Sequence, residues 1–100
     1  MSSSDKELLT LAAKAAGVGY ADKDGKFIPF VPETWNPLTD DGDALRLAVK
    51  LGMGLDLPTQ TSVYVVVNNG QLEYCKNKDH YAATRRAIVR AAAEIGRSMG

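Results

Sequence analysis

The apolar residues follow two periods along the chain, one helical and one extended, and the period changes at glycine, proline and aspartate. Leu8, Leu11, Ala12 and Ala15 recur at helical spacing and predict a first helix over about 5–16. Ser4 followed by Glu7 is a capping-box pattern at its start, and Gly17 suits the left-handed position past its end. Two β-prone runs, 18–21 and 26–31, flank Asp22-Lys23-Asp24-Gly25 and predict a hairpin. Pro29 has no N–H to give a ladder, so its strand is expected to lie at an edge or to stop early. Ala44, Leu47, Ala48 and Leu51 then form the stripe of a second helix, with Thr39 as the expected N-cap. Asp40 and Asp41 oppose the positive start of that helix, and Gly52 and Gly54 stop it.

Residues 55–61 read as a connector, after which 62–68 and 71–75 flank Asn69-Gly70. A two-residue Asn-Gly turn predicts a register with Val67 opposite Leu72 and Val65 opposite Tyr74 on a core face. Tyr64 opposite Cys75 and Val66 opposite Glu73 form the mixed face. A last helix is predicted over about 79–98, capped by Asp79, with a core stripe of Tyr81, Thr84, Ile88, Ala91 and Ile95. The order α-β-β-α-β-β-α implies an α/β chain of the α+β kind, with antiparallel hairpins forming a small sheet packed by helices. One domain spans 1–100.

Composition narrows the class. Hydrophobic residues make up 45% and charged residues 24% of 100 positions, as in an ordinary globular domain. No run approaches a membrane span, and the polar start carries no signal-peptide core. A single cysteine, Cys75, permits no internal disulfide, so a reducing cytoplasm is expected. The formal charge is zero but unevenly spread. Residues 1–75 carry six bases and ten acids, and residues 76–100 six bases and two acids, about −4 and then +4.

The segment Trp35-Asn36-Pro37-Leu38-Thr39-Asp40-Asp41-Gly42-Asp43-Ala44-Leu45-Arg46-Leu47-Ala48-Val49-Lys50-Leu51 resembles the phage ABA-sandwich domain family. So does Thr84-Arg85-Arg86-Ala87-Ile88-Val89-Arg90-Ala91-Ala92-Ala93-Glu94-Ile95-Gly96, with a more distant look of the NinX-like phage proteins. The resemblance implies an α-β-α sandwich and a phage or prophage gene, hence a host cytoplasm, and carries no catalytic residues over. It implies a small accessory protein acting on a host protein, among them inhibitors of host defence.

Three features bear on chemistry. Asp40, Asp41 and Asp43 offer oxygens to a hard cation, but their spacing matches no calcium loop and acids are favoured where a helix begins. Trp35 and Asn36 could form a rim beside that helix start, with Trp35 as a stacking surface or as a core lid. Arg86, Arg90 and Arg97 share one side of the last helix with Arg85 beside them, extended by Lys76, Lys78 and His80. Such a stripe suits a phosphate or nucleotide ligand, or it pairs with the acidic 33–43 region. Neutral overall charge and an expectation of few exposed aromatics weigh against nucleic acid. One histidine and one cysteine do not make a zinc site, and no phosphate loop or catalytic constellation is visible, so neither enzyme activity nor a cofactor is expected. Trp35, Asn36, Asp40, Arg85, Arg86 and Arg90 are the candidate binding residues. The mixed face of the second hairpin, or the alanine-rich side of the last helix, could join two copies.

Overall fold

Helix α1 (Ser3–Ala16) opens the computed structural model, which describes residues 3–56, 62–66, 72–76 and 79–99. It starts before Ser4, so Ser4 lies inside the helix rather than capping it. Its fully buried side is Leu9, Ala12, Ala13 and Ala16, one residue round from the expected stripe; Leu8, Leu11 and Ala15 are half-buried. The reason is the closeness of the long last helix, α3 (His80–Ser98). A Cβ at Gly96 of α3 would overlap the main-chain carbonyl of Leu11. Only small side chains fit beside so close a crossing, and the alanine side of α1 supplies them.

Two glycines end helices in the same way. Gly17 has φ +73°, and Val18 N–H donates back to Ala13 O at 2.8 Å. Gly52 has φ +64°, and Met53 N–H donates to Ala48 O at 3.0 Å. Both are Schellman closures, which satisfy carbonyls the helix would leave bare. Val18 and Met53, the residues after each glycine, pack on the core.

Strands β1 (Gly19–Ala21) and β2 (Phe27–Pro29) form a two-stranded antiparallel sheet, with Tyr20 opposite Ile28. Asp22 organises the turn. Its carboxylate accepts from Asp24 N–H and Lys26 N–H, both at 2.9 Å, and Gly25 takes φ +82°. Helix α2 (Asp41–Lys50) follows the loop 30–40 and buries Asp43, Ala44, Leu47 and Ala48. Its N-cap is Asp40, not Thr39 as expected: the Asp40 carboxylate accepts Asp43 N–H at 2.8 Å.

The second sheet has three strands in the order β3-β4-β5, all antiparallel: β3 (Gly54–Asp56), β4 (Ser62–Val66) and β5 (Leu72–Lys76). The connector read from the sequence thus begins as a strand, and Gly54 belongs to it instead of ending α2. The register of β4 and β5 differs by one residue from the expected one. Val66 pairs with Leu72, Val65 with Glu73, Tyr64 with Tyr74 and Val63 with Cys75. Five residues separate Val66 from Leu72, an odd number that a two-residue turn cannot close; Asn69-Gly70 itself, with Val67, lies outside the described residues. Val65 is buried, as its place on the core face requires, while Val66 on the opposite face is 42% exposed.

The α+β class and the succession of expected elements hold, with β3 added. Among the described elements α3 has the most packing partners. It packs against β4 and β5 on one side and against α1 and α2 elsewhere, while β2 packs on α1. This position explains why α3 is buried on a broad face, from Ala83 through Ala87, Ile88, Val89, Ala91, Ala92 and Ala93 to Gly96. Tyr81, expected in the core, is 72% exposed, and Ile95 is only partly buried. The alanine-rich side of α3, one of the two surfaces expected to join copies, is buried inside the chain.

Candidate functional site

Asn36 is the hub of the segment 35–43. Its side-chain Oδ1 accepts Leu38 N–H at 3.0 Å across Pro37, and its main-chain carbonyl accepts Thr39 and Asp40 N–H at 3.1 and 2.9 Å. Its own N–H donates to Asp43 Oδ2 at 2.9 Å. Pro37 is fully buried beneath this turn. Asn36 therefore holds the loop against the start of α2 through both of its main-chain groups and its side chain.

Asp43 is 7% exposed and answers with both oxygens: Oδ2 takes Asn36 N–H, and Oδ1 takes Arg46 Nη2 at 2.7 Å. The Asn36 N–H and then Arg46 outweigh the burial that opposes charge, so the carboxyl is held below its ordinary value of 3.8. The three aspartates expected near a helix start are thus engaged by protein groups. Asp40 caps α2, Asp43 ties Asn36, and Asp41 pairs with Arg85. Among the described residues no cluster of three or more His, Cys, Asp or Glu is placed to hold a metal.

The arginines of α3 diverge rather than converge. Arg85 reaches α2: its Nε donates to Leu38 O at 2.8 Å and its Nη1 to Asp41 Oδ1 at 2.6 Å, and its side chain is 17% exposed. Arg86 turns instead to α1, where Nη1 meets Asp5 Oδ1 at 3.2 Å. Arg97 pairs with Glu94 one turn back, and Arg90 lies exposed on the same helix. The +4 tail is thereby joined to the acidic front half of the chain at Asp5 and Asp41. Truncating Arg85 to alanine strips a part-buried carbonyl and a carboxylate of their donor and is expected to cost about 2 kcal/mol. Arg86→Ala, at a half-exposed pair, is expected to cost less than about 1 kcal/mol. Urea denaturation midpoints of the two variants check this order.

Trp35 is half-buried and packs on the core, which fits a lid. It also lines a groove of about 330 Å³. Lys6, Leu9 and Thr10 of α1 form one wall, and Val31, Pro32, Glu33, Trp35 and Asn36 form the other. Trp35 and Asn36 thus line one groove, and the residues facing them come from α1 rather than from the arginines of α3.

The surface that sequence reasoning missed is the first hairpin. Tyr20 is 56% exposed, Phe30 57% and Phe27 38%. The Tyr20 and Phe30 rings meet edge to face, with centroids 6.3 Å apart and planes at 61°. Phe27 lies against Gly19, where a Cβ would press on its ring and on the β2 backbone. The available signal was three aromatics in a hairpin of three-residue strands, too short to bury what it carries.

Cys75 and the lysines at 76 and 78 fall outside the residues whose side chains are described. His80 opens α3, capped by Asp79, and its Nε2 is buried without a hydrogen-bond partner among the described residues. Among the described residues no helix is long and apolar enough to cross a membrane. Comparison with protein-family models, with curated proteins and with solved structures finds no match to this chain.

Proposed function

We propose that this chain is a non-enzymatic binding module that engages a protein partner through its aromatic hairpin. The observation that carries this reading is the exposure of Tyr20, Phe27 and Phe30 on one short hairpin. Aromatic side chains bury a large area at little entropic cost and are enriched where proteins bind proteins. The Tyr20–Phe30 contact holds two of them in a fixed relation before any partner arrives. The alternative, a phosphate or nucleotide ligand on the arginines, is disfavoured by what those arginines already hold: Arg85 closes α2 onto α3 and Arg86 meets α1. The resemblance to phage ABA-sandwich domains supplies the partner class. The chain acts as a phage or prophage accessory protein on a protein of the host, in the host cytoplasm, in the manner of a defence inhibitor.

The test is capture from a host extract by the purified chain and by its Tyr20→Ser/Phe27→Ser/Phe30→Ser variant, each shown to be folded by circular dichroism. A partner held by the native chain and lost, by about a hundredfold in affinity, from the variant is the expected result. Equal capture by both removes the hairpin from the interface.

A further inference from the structure

The groove between α1 and the segment 31–36 has features that the aromatic hairpin does not use. Its floor is apolar: Leu9 is 2% exposed and Trp35 packs on the core. Its volume, about 330 Å³, is at the low end for ligand pockets, roughly 300–1,000 Å³. That suits one anchoring side chain better than a cofactor. Its two walls carry opposite charges, Lys6 on α1 and Glu33 on the loop. Both are exposed, and neither forms an ion pair with a described residue.

The main chain of the loop wall adds a directional element. Phe30 N–H donates to Val18 O at 3.2 Å, so residue 30 turns its polar groups toward β1. In an extended chain the neighbours on either side turn theirs away. Pro29 on that outer side has no N–H to offer. Val31 has both an N–H and a C=O there, and neither is bonded among the described residues. An incoming extended chain could therefore pair with Val31 through two bonds but could not continue along β2 past Pro29.

We propose that this groove binds an extended segment of a protein partner. A bulky apolar side chain of that segment sits over Leu9 beside Trp35, an acidic residue lies toward Lys6, and a basic residue lies toward Glu33. The proposal rests on the protein-binding reading above and names the segment it recognises. Pairing with the Val31 main chain sets the direction of the segment, and the opposite charges on the two walls then select one charge order along it, because the reversed order sets like charges against each other.

Trp35 is the only tryptophan of the chain, so its emission reports on the groove directly. The probes are two blocked heptapeptides, Ser-Glu-Val-Leu-Val-Lys-Ser and Ser-Lys-Val-Leu-Val-Glu-Ser, titrated into the full chain. One charge order is expected to shift Trp35 emission saturably and to bind about tenfold tighter than the other. In the Lys6→Glu/Glu33→Lys variant, whose altered side chains are both exposed, the preference is expected to invert. Three results each overturn the proposal: no saturable change with either peptide up to about 1 mM, equal response to both, or an unchanged preference in the charge-swapped variant. If the groove fails these tests while the hairpin variant still loses its captured partner, the protein-binding reading stands without the groove. If the hairpin variant keeps that partner, the hairpin reading fails whatever the peptides do.

Discussion

Alanine at Gly96 is expected to destabilise the fold by about 3 kcal/mol and to lower Tm by roughly 12–24 °C. The added Cβ would overlap the Leu11 carbonyl, which sits in the main chain of α1 and cannot swing aside as a side chain can. Alanine favours a helix interior over glycine by about 1 kcal/mol, so the net loss measures how hard α1 and α3 resist separation. Gly25→Ala is the control. Nothing lies within 4 Å of a Cβ there, although φ is +82°. Only the backbone preference acts, and a loss of about 1 kcal/mol is expected. Thermal melts of the two variants separate a packing cost from a conformational one. Equal losses would mean that the close crossing of α1 and α3 is not what sets the core.

Asp43→Ala is expected to cost about 2 kcal/mol, or about 8–16 °C in Tm. The side chain is 7% exposed and holds Asn36 N–H and Arg46 at once, so its loss frees the loop 35–40 from α2 and leaves a part-buried N–H without an acceptor. The same contacts depress the Asp43 pKa, first through Asn36 N–H, against the opposing effect of burial. A carboxyl whose folded pKa lies below its unfolded value stabilises the fold fully above the unfolded value, 3.8, and loses that contribution as pH falls through the folded value. Stability is therefore expected to fall with acid below about pH 4. In Asp43→Asn, which keeps an oxygen for Asn36 but has no proton to gain, this part of the acid dependence is expected to vanish. Denaturant midpoints between pH 2 and 7 for the native chain and Asp43→Asn check it. Parallel curves would contradict the role given to Asp43.

Much of the architecture was legible because local rules and packing agree. Gly17 and Gly52 end their helices where the sequence places stops, and Asp79 caps α3 as read. The failures have physical causes. On α1 the sequence offers two stripes at helical spacing. The larger residues favour Leu8 and Leu11, but the approach of Gly96 selects Leu9, Ala12, Ala13 and Ala16. Thr39 and Asp40 are both able caps, and Asn36, by accepting Asp40 N–H, holds the chain so that Asp40 takes the place. Tyr81 fits a helical core stripe, yet the face of α3 that is buried is set by which elements surround it, which no period encodes.

The candidate site was less legible than the fold. Charge patterning pointed to the arginines, and charge patterning alone does not distinguish a free stripe from one already paired. Arg85 and Arg86 are adjacent in sequence but reach Asp41 and Asp5, 44 and 81 positions away. Trp35 and Asn36 stand out in the sequence because an unusual loop carries them, and both line the groove beside α1. The hairpin aromatics were passed over because Tyr20, Phe27 and Phe30 sit at ordinary strand positions, and only the shortness of β1 and β2 leaves them exposed.

Under the proposed function the aromatic hairpin meets the partner, while Arg85 and Arg86 pair within the chain with Asp41 and Asp5. Affinity for one captured host protein, compared between Tyr20→Ser/Phe30→Ser and Arg86→Glu/Arg90→Glu at a temperature where both are folded, tests this claim most directly. The expected result is loss of about a hundredfold or more in the hairpin variant and change within about threefold in the arginine variant. Binding that survives in the hairpin variant and collapses in the arginine variant would contradict the claim and return the site to α3.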